Sequence, residues 1–288
     1  MPVQHTLDVL HSYALPGARV FPESVGIDRR TGDAYCGSLA DGAVYRLPAD
    51  GAEVELWSPA GAGGRGSVAG VKVDARGRLW AAGGYDGTLS IYDLESRALL
   101  GQVDVGSRPS CVNDIAFDVQ GNAYVTDSFV PVLFRVGADA LSLERFVALD
   151  RTAIPWRDGL NLNGIVLSAD GQHLVSCQTN LGRFWCFDLD TRAVREVALE
   201  GGPIEHCDGL ALDGSTLYAA INARNMIAVI DLADDGTAGS LVTTLVSDGF
   251  AFPTAVAVGA ERLLVVNGQL DTMGSEPQVP FTVVAIAK

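Results

Sequence analysis

A pattern of about 45 residues repeats six times along the chain and constrains the fold more than any other feature. Each copy alternates apolar and polar residues, breaks at a polar or glycine turn, and resumes in further apolar runs. Alternation with a period of two residues indicates short antiparallel strands. Four strands in each of six units predict an all-β, six-bladed β-propeller. The copies begin with FPESVGID at Phe21, SVAGVKVD at Ser67, CVNDIAFD at Cys111, NLNGIVLS at Asn161, HCDGLALD at His206 and FPTAVAVG at Phe252.

The two ends of the chain complete this prediction. The sixth copy reaches the segment FTVVAIAK without a fourth apolar run, and the N-terminal segment HTLDVLHSY also alternates. We therefore expect an N-terminal strand to close the last blade, because propellers leave few unpaired strand edges. The chain is predicted to form one domain over residues 1–288, with blades starting near 21, 67, 111, 161, 206 and 252.

Charge and hydropathy narrow the range of partners. The chain has 20 basic and 35 acidic residues, a net charge of −15, which argues against nucleic acid and anionic membranes as partners. It has no long apolar run and no secretion signal, so we expect a cytoplasmic protein, a monomer or small homo-oligomer, that acts on a small molecule. Its five cysteines lack disulfide or zinc spacing and are expected to be reduced.

The third residue of each copy varies in an informative way. The six residues are Glu23, Ala69, Asn113, Asn163, Asp208 and Thr254. Equivalent positions of a propeller converge on its axis, so the four that carry carboxylate or amide oxygens are predicted to bind a divalent cation, with Ca²⁺ the best match. Alternatively, Asn and Asp before a strand can be turn residues that bond their own backbone.

A second polar set falls near the end of the second strand of each copy: Ser38, Asp127, Gln178, Asn222 and Asn267. Both sets are expected at one mouth of the channel, where Asn113, Asp127, Gln178 and Asn222 would contact the substrate. Two long insertions, residues 149–160 and 271–280, are predicted to be lids over this mouth. Trp156 is a candidate wall residue, and His206 is either a rim residue or a proton-transfer group.

These segments resemble the SMP-30/gluconolactonase-like propellers, which include regucalcin-like and diisopropyl fluorophosphatase-like proteins. FPESVGID, CVNDIAFDVQGNAYVTDS, NLNGIVLSADG and CDGLALD match the family's metal-binding motifs, at Glu23, Asn113, Asn163 and Asp208. The resemblance implies a divalent-metal site and makes Asp208 the candidate general base or nucleophile. It places Asp114 beside Asn113 as a supporting residue. Sugar lactonases of the family carry an arginine and an acidic residue where this chain has Cys111 and, approximately, Pro131.

The sequence therefore leaves three functions open. The first is a Ca²⁺-dependent hydrolase of a lactone or related ester, in which the metal polarises the carbonyl and Asp208 acts as base or nucleophile. The second is a non-hydrolytic cyclase, isomerase or pericyclase that uses the same pocket. The third is a propeller that binds a small molecule without catalysis.

Overall fold

Twenty-six short strands make up almost all of the regular structure in the described part of the chain. The computed structural model describes residues 3–139 and 141–288. Two N-terminal strands, β1 (Val3–Thr6) and β2 (Val9–Leu15), precede the six blades. Four one-turn 3₁₀ helices lie between strands, at Ala62–Gly64, Leu149–Arg151, Asn222–Arg224 and Leu270–Thr272.

The first three blades each contain four antiparallel strands in chain order from the axis outward. Blade 1 is β3 (Pro22–Ile27), β4 (Ala34–Ser38), β5 (Val44–Leu47) and β6 (Glu55–Ser58). Blade 2 is β7 (Gly70–Val73), β8 (Arg78–Ala82), β9 (Thr88–Asp93) and β10 (Leu99–Asp104). Blade 3 is β11 (Val112–Phe117), β12 (Ala123–Asp127), β13 (Val132–Val136) and β14 (Leu143–Ala148).

Blades 4 and 6 are also four-stranded sheets, whereas two further strands pair with the outer strand of blade 5. Blade 4 is β15 (Leu162–Leu167), β16 (His173–Gln178), β17 (Arg183–Asp188) and β18 (Val194–Glu196), followed by the short strand β19 (Ala198–Glu200). Blade 5 is β20 (Cys207–Asp213), β21 (Thr216–Ile221), β22 (Met226–Leu232) and β23 (Ala238–Val246). Blade 6 is β24 (Pro253–Val258), β25 (Arg262–Asn267) and β26 (Phe281–Ala287), with β2 as its fourth strand. The predicted six-bladed, all-β propeller is confirmed.

The N-terminal strand closes the ring as predicted. Strand β2 pairs antiparallel with β26, so that Tyr13 lies opposite Val283 and Leu15 opposite Phe281. The sequence did not indicate a second connection, in which β1 and β19 both pair in parallel with β23 of blade 5. The segment HTLDVLHSY is thus divided between the outer edges of two blades.

The hydrophobic core lies between neighbouring blades rather than within one sheet. One cluster, for example, joins Val175 and Phe184 of blade 4 to Leu217 and Ile230 of blade 5. All five cysteines are buried and unbridged, in agreement with the expected reduced thiols. Among the described residues, no helix is long and apolar enough to cross a membrane.

Candidate functional site

A cavity of about 190 Å³ opens at one end of the central channel. Side chains at the third position of five repeat units line it: Glu23, Ala69, Asn113, Asn163 and Asp208. We call the four oxygen-bearing members the acid–amide cluster. All four are less than 10% exposed, and they come from the innermost strands of blades 1, 3, 4 and 5. The fold therefore brings together the four residues that the repeat aligned.

A β-bulge turns each member of the acid–amide cluster toward the axis. The pairing of the first two strands shifts register between Val112 and Ile115 in blade 3, and the first strands of blades 1, 4 and 5 shift at the same place. The cluster residue lies inside this shift in every case. Bulges of this kind redirect a side chain out of the ladder and are frequent beside active sites. In blade 2, β7 pairs with β8 without a shift, and the third position is alanine.

A glycine allows two members of the cluster to lie on closely spaced strands. Gly164 follows Asn163, and a Cβ at this position would lie 2.5 Å from the backbone oxygen of Asp208. Any side chain would therefore push blades 4 and 5 apart. The absence of a Cβ lets the two innermost strands approach each other where their polar side chains meet.

Two hydroxyl groups fix the orientation of the amides. The Nδ2 group of Asn113 donates to Ser128 Oγ at 3.0 Å, and that of Asn163 donates to Thr179 Oγ1 at 3.1 Å. Both hydroxyls in turn donate to backbone oxygens, of Leu162 and Cys207. Within the described chain no hydrogen bond reaches the two Oδ1 atoms, so both oxygens are free to bind a ligand. Sequence reasoning did not identify Ser128 or Thr179, although each directly follows a residue of the second polar set.

Asp208 is held by Asn222, the one member of the second polar set that lines the cavity. Asn222 Nδ2 donates to Asp208 Oδ2 at 3.1 Å, and Asn222 Oδ1 accepts from the backbone N–H of Ala223. This bond fixes one carboxylate oxygen of Asp208. The Asn163 amide also lies close enough to stabilise the ionised carboxylate, whereas Asn222 makes the hydrogen bond of normal geometry among the described residues.

Burial shifts both carboxylic acids of the cluster toward their neutral forms. Burial raises the pKa of Asp208 to about 7, and the amides of Asn222 and Asn163 partly oppose this shift. Burial, followed by the negative charges of Asp208 and Asp114, raises the pKa of Glu23 well above its ordinary value. The site without a bound cation therefore retains protons near neutral pH, because two close, desolvated carboxylates cannot both ionise cheaply.

Asp114 and Lys72 form an ion pair beside the cluster, on the channel side. Lys72 Nζ lies 2.8 Å from Asp114 Oδ1, and Asp114 Oδ2 accepts the backbone N–H of Ile165 at 3.1 Å. Asp114 thereby connects blades 2, 3 and 4. The positive charge of Lys72 also lowers the pKa of Glu23, against the larger effect of burial.

The rest of the second polar set supports the blades instead of lining the cavity. Asp127 is completely buried and accepts the Ser110 hydroxyl and the backbone N–H groups of Cys111, Phe129 and Val130. Each of the others also bonds the segment that leads into its own blade. Ser38 donates to Val20 O, Gln178 to Asn161 Oδ1, and Asn267 to Gly249 O. A polar side chain at this place thus fastens the entry of the innermost strand, and neither Asp127 nor Gln178, which were predicted to contact the substrate, lines the cavity.

Trp156 and His206 also lie outside the cavity lining. Trp156 is half-buried against the core between blades 3 and 4 and lines a separate surface cavity with Phe129 and Asn161. His206 is exposed and has a left-handed backbone, with φ of 65°. Its carbonyl oxygen accepts the backbone N–H of Asn222 at 3.2 Å. His206 therefore contacts the site through its backbone.

Large apolar side chains surround the opening above the acid–amide cluster. We call them the apolar rim: Leu39, Tyr85, Leu160, Phe252 and Leu270. Leu160 ends the first predicted lid and Asp271 begins the second, directly after Leu270, so one end of each insertion reaches the cavity. The buried thiol of Cys111 lines the same space.

Two larger cavities lie at the other end of the molecule. One, of about 320 Å³, opens at the opposite end of the channel and is lined mainly by apolar residues of all six innermost strands, with Lys72 and Arg29. The other, of about 790 Å³, lies beside it between blades 1 and 6. Neither is lined by oxygen-bearing side chains at equivalent positions of the repeat, so the smaller cavity that contains the acid–amide cluster is the candidate site.

A propeller with an acid–amide cluster at one end of its axis is the class that the fold and the site define. The family model of the SMP-30/gluconolactonase/LRE-like region matches residues 21–265, so the chain belongs to that family. The match includes every member of the acid–amide cluster. No curated protein matches the chain by sequence.

Solved structures of low sequence identity share the fold. Regucalcin from Agrobacterium tumefaciens, described as a calcium-binding protein, is 16% identical with a TM-score of 0.71, over 100% of this chain and 97% of its own. The allergen Mala s 1 of Malassezia sympodialis is also 16% identical with a TM-score of 0.71, over 97% and 96%. Virginiamycin B lyase from Staphylococcus aureus is 10% identical with a TM-score of 0.61, over 96% and 98%.

Proposed function

We propose that the protein is a divalent-cation-dependent hydrolase of a lactone or related carboxylic ester. The observation that carries the proposal is the acid–amide cluster, in which two buried carboxylates and two unbonded amide oxygens line one cavity. Oxygen ligands of this kind suit Ca²⁺, whereas zinc sites favour histidine and cysteine. Membership of the family and the likeness to a calcium-binding regucalcin support the same choice of ion.

The charge state of the cluster fits a cation site. Burial raises the pKa values of both Glu23 and Asp208, and the negative charges of Asp208 and Asp114 raise that of Glu23 further, so neither acid has a positive partner that offsets its burial. Lys72 does not supply one, since its ammonium group is paired with Asp114. A bound divalent cation would neutralise the two carboxylates and would polarise the carbonyl group of a substrate.

Asp208 is the residue to which we assign the covalent chemistry. Asn222 holds its Oδ2 atom, and its Oδ1 atom is free to accept a proton from water or to attack the carbonyl carbon. Without a cation its pKa is raised to about 7; a bound cation would lower that pKa, so Asp208 would be ionised and able to act as a base at neutral pH. The apolar rim limits the access of bulk water and so strengthens electrostatic interactions inside the cavity.

The proposal predicts that Asp208→Asn abolishes hydrolysis. Loss of a general base costs about 10²- to 10⁴-fold in kcat, so turnover of a lactone and aryl-ester panel should fall by at least about 100-fold. Wild-type protein stripped of metal should lose activity and regain it with Ca²⁺. The matched control is Asp190→Asn, an exposed turn residue of blade 4, which should keep wild-type activity. Full hydrolytic activity in metal-stripped Asp208→Asn protein would contradict the proposal.

A second candidate function, a non-hydrolytic cyclase, isomerase or pericyclase, is favoured by the apolar rim and by Cys111 beside the cluster. Turnover that survives a chelator and yields a product of unchanged mass would support it. If the metal-free and metal-loaded proteins melt at the same temperature and neither converts any substrate, the remaining function is the binding of a small molecule without catalysis.

A further inference from the structure

The walls of the candidate site differ sharply from its polar base. All five residues of the apolar rim are partly exposed at the opening, and Ala69 and Cys111 extend the apolar surface down to the acid–amide cluster. Tyr85 contributes a phenol at the rim, and burial raises its pKa, so it remains a neutral donor. A bound molecule thus meets oxygen ligands at one end and hydrocarbon along its sides.

The cavity offers few partners to a substrate rich in hydroxyl groups. No Lys, Arg or His side chain of the described chain lines it. The amide nitrogens of Asn113 and Asn163 already donate to Ser128 and Thr179, and that of Asn222 to Asp208. A cation bound at the acid–amide cluster would occupy the free carboxylate and amide oxygens, so most hydroxyl groups of a sugar lactone would face the apolar walls without replacement hydrogen bonds.

The charge of the site disfavours anions. Glu23 and Asp208 line the base, and Asp271 lies at the opening. A divalent cation would balance the first two carboxylates and leave the third in excess. A neutral molecule therefore enters more readily than an anionic one, and an anionic hydroxy-acid product is repelled on release.

Size limits the ligand as well. The cavity volume of about 190 Å³ is smaller than the roughly 300–1,000 Å³ of sites for drug-sized molecules. One five- or six-membered ring with a short arm fits such a space. The arm would pass between Leu160, at the end of the first insertion, and Leu270, directly before the second.

We infer that the substrate is a small, neutral lactone with an alkyl substituent, not a polyhydroxylated sugar lactone. The inference rests on the proposed hydrolase function and adds the class of substrate. It follows from this chain's own apolar rim, its lack of lining basic side chains and the size of the cavity.

The test compares two lactones that share a six-membered ring, δ-octalactone and glucono-δ-lactone, with Ca²⁺-loaded protein and acid release as the readout. A hydrophobic site rejects each added hydroxyl by up to about 100-fold, so kcat/KM should be at least about 100-fold higher for δ-octalactone. An equal or higher value for glucono-δ-lactone would overturn the inference and leave the proposed hydrolase intact.

A binding measurement separates this inference from the failure of the proposed function. If neither lactone is hydrolysed, thermal shift with 2-propylcyclohexanone, a ring of similar shape without an ester, tests the pocket directly. Stabilisation by the ketone but not by glucose would support the apolar pocket while the hydrolase proposal fails. The absence of any shift would overturn the inference.

Substitution of the rim gives a matched pair of variants. Leu160→Asn places an amide beside the opening, and Leu160 is 36% exposed, so the change should not impair folding. We expect it to lower kcat/KM for δ-octalactone by about tenfold, with little effect on glucono-δ-lactone. Leu100→Asn, at a 48% exposed position on the outer strand of blade 2, should leave both values unchanged. An unchanged ratio in Leu160→Asn would contradict the assigned role of the rim.

Discussion

Protons and cations compete for the same two carboxylates at the base of the cavity. Glu23 and Asp208 line the same cavity, burial raises the pKa of both, and the negative charge of Asp208 raises that of Glu23 further. The amide of Asn222 and the ammonium of Lys72 offset only part of this cost. The folded, metal-free protein therefore becomes less stable as its two acids lose their protons, and a bound cation should restore its stability.

We predict that the stability of the metal-free protein falls as pH rises from about 4 to about 7. The unfolded chain releases the Asp208 proton near its ordinary pKa of 3.8, whereas the folded protein keeps it up to a pKa of about 7. The folded state binds more protons in this window, so the free energy of unfolding decreases with pH, and above it this group adds no further change. Thermal unfolding in a chelator at pH 5 and pH 8 measures the difference.

Asp208→Asn is the variant that assigns this pH dependence. It should reduce the difference between pH 5 and pH 8, because it removes one titrating group and a charge next to Glu23. Asp190→Asn should retain the wild-type difference. Addition of Ca²⁺ at pH 8 should restore stability to wild-type protein. A full wild-type pH difference in Asp208→Asn would show that Asp208 titrates normally.

The last residue of a blade's second strand and the residue after it have different structural roles, because side chains along a strand alternate in direction. Asp127 turns toward the entry of blade 3 and fastens it, whereas Ser128 turns toward the axis and holds Asn113. Blade 4 repeats this division with Gln178 and Thr179. In blades 3 and 4 the end of the second strand therefore both fastens its own blade and orients a side chain of the acid–amide cluster.

Ser128→Ala should weaken cation binding without removing a ligand. Its hydroxyl accepts from Asn113 Nδ2, and without it the amide can rotate and lose the orientation of its oxygen. Loss of such an orienting partner lowers metal affinity by about 10- to 100-fold, which calorimetric titration with Ca²⁺ would detect. Ser90→Ala removes a buried hydroxyl of blade 2 that accepts only from Gln102, and it should bind Ca²⁺ like wild type. Equal affinities in the two variants would refute the orienting role.

The repeat predicted the acid–amide cluster because equivalent positions of a propeller must share a direction. The repeat could not predict which members of the second polar set face the cavity. Their alignment is uncertain by one residue, and a shift of one residue in a strand reverses the direction of a side chain. In blade 3, Val112 pairs with Asp127. The equivalent of Val112 in blade 5 is Cys207, which pairs with Ile221. Asn222 therefore lies one residue beyond the position of Asp127 and reaches the cavity. The bulges and the parallel pairing of β1 depend on contacts between distant segments, which alternation alone does not encode.

Closure of the ring joins the two ends of the chain at the blade next to Glu23. Strand β2 packs Tyr13 and Leu15 into a cluster that includes Phe21 of blade 1 and Phe281 of blade 6. Without it, β26 would expose an unpaired edge, and the cluster between blades 6 and 1 would lose one wall. Stability of the whole molecule should therefore depend on a few residues that lie far outside the site.

Leu15→Ala and Leu10→Ala test this dependence on one strand. Leu15 is fully buried against its neighbours, whereas Leu10 is 61% exposed at a register shift of the same strand. Truncation of a buried leucine costs about 2–5 kcal/mol, because the cavity that remains is only partly filled, and an exposed one changes stability by about 0.5 kcal/mol or less. Urea unfolding of the metal-free proteins measures both values. If the two variants unfold at the same urea concentration, the β2 strand does not hold the ring closed, and the blades must be stabilised by the inter-blade clusters alone.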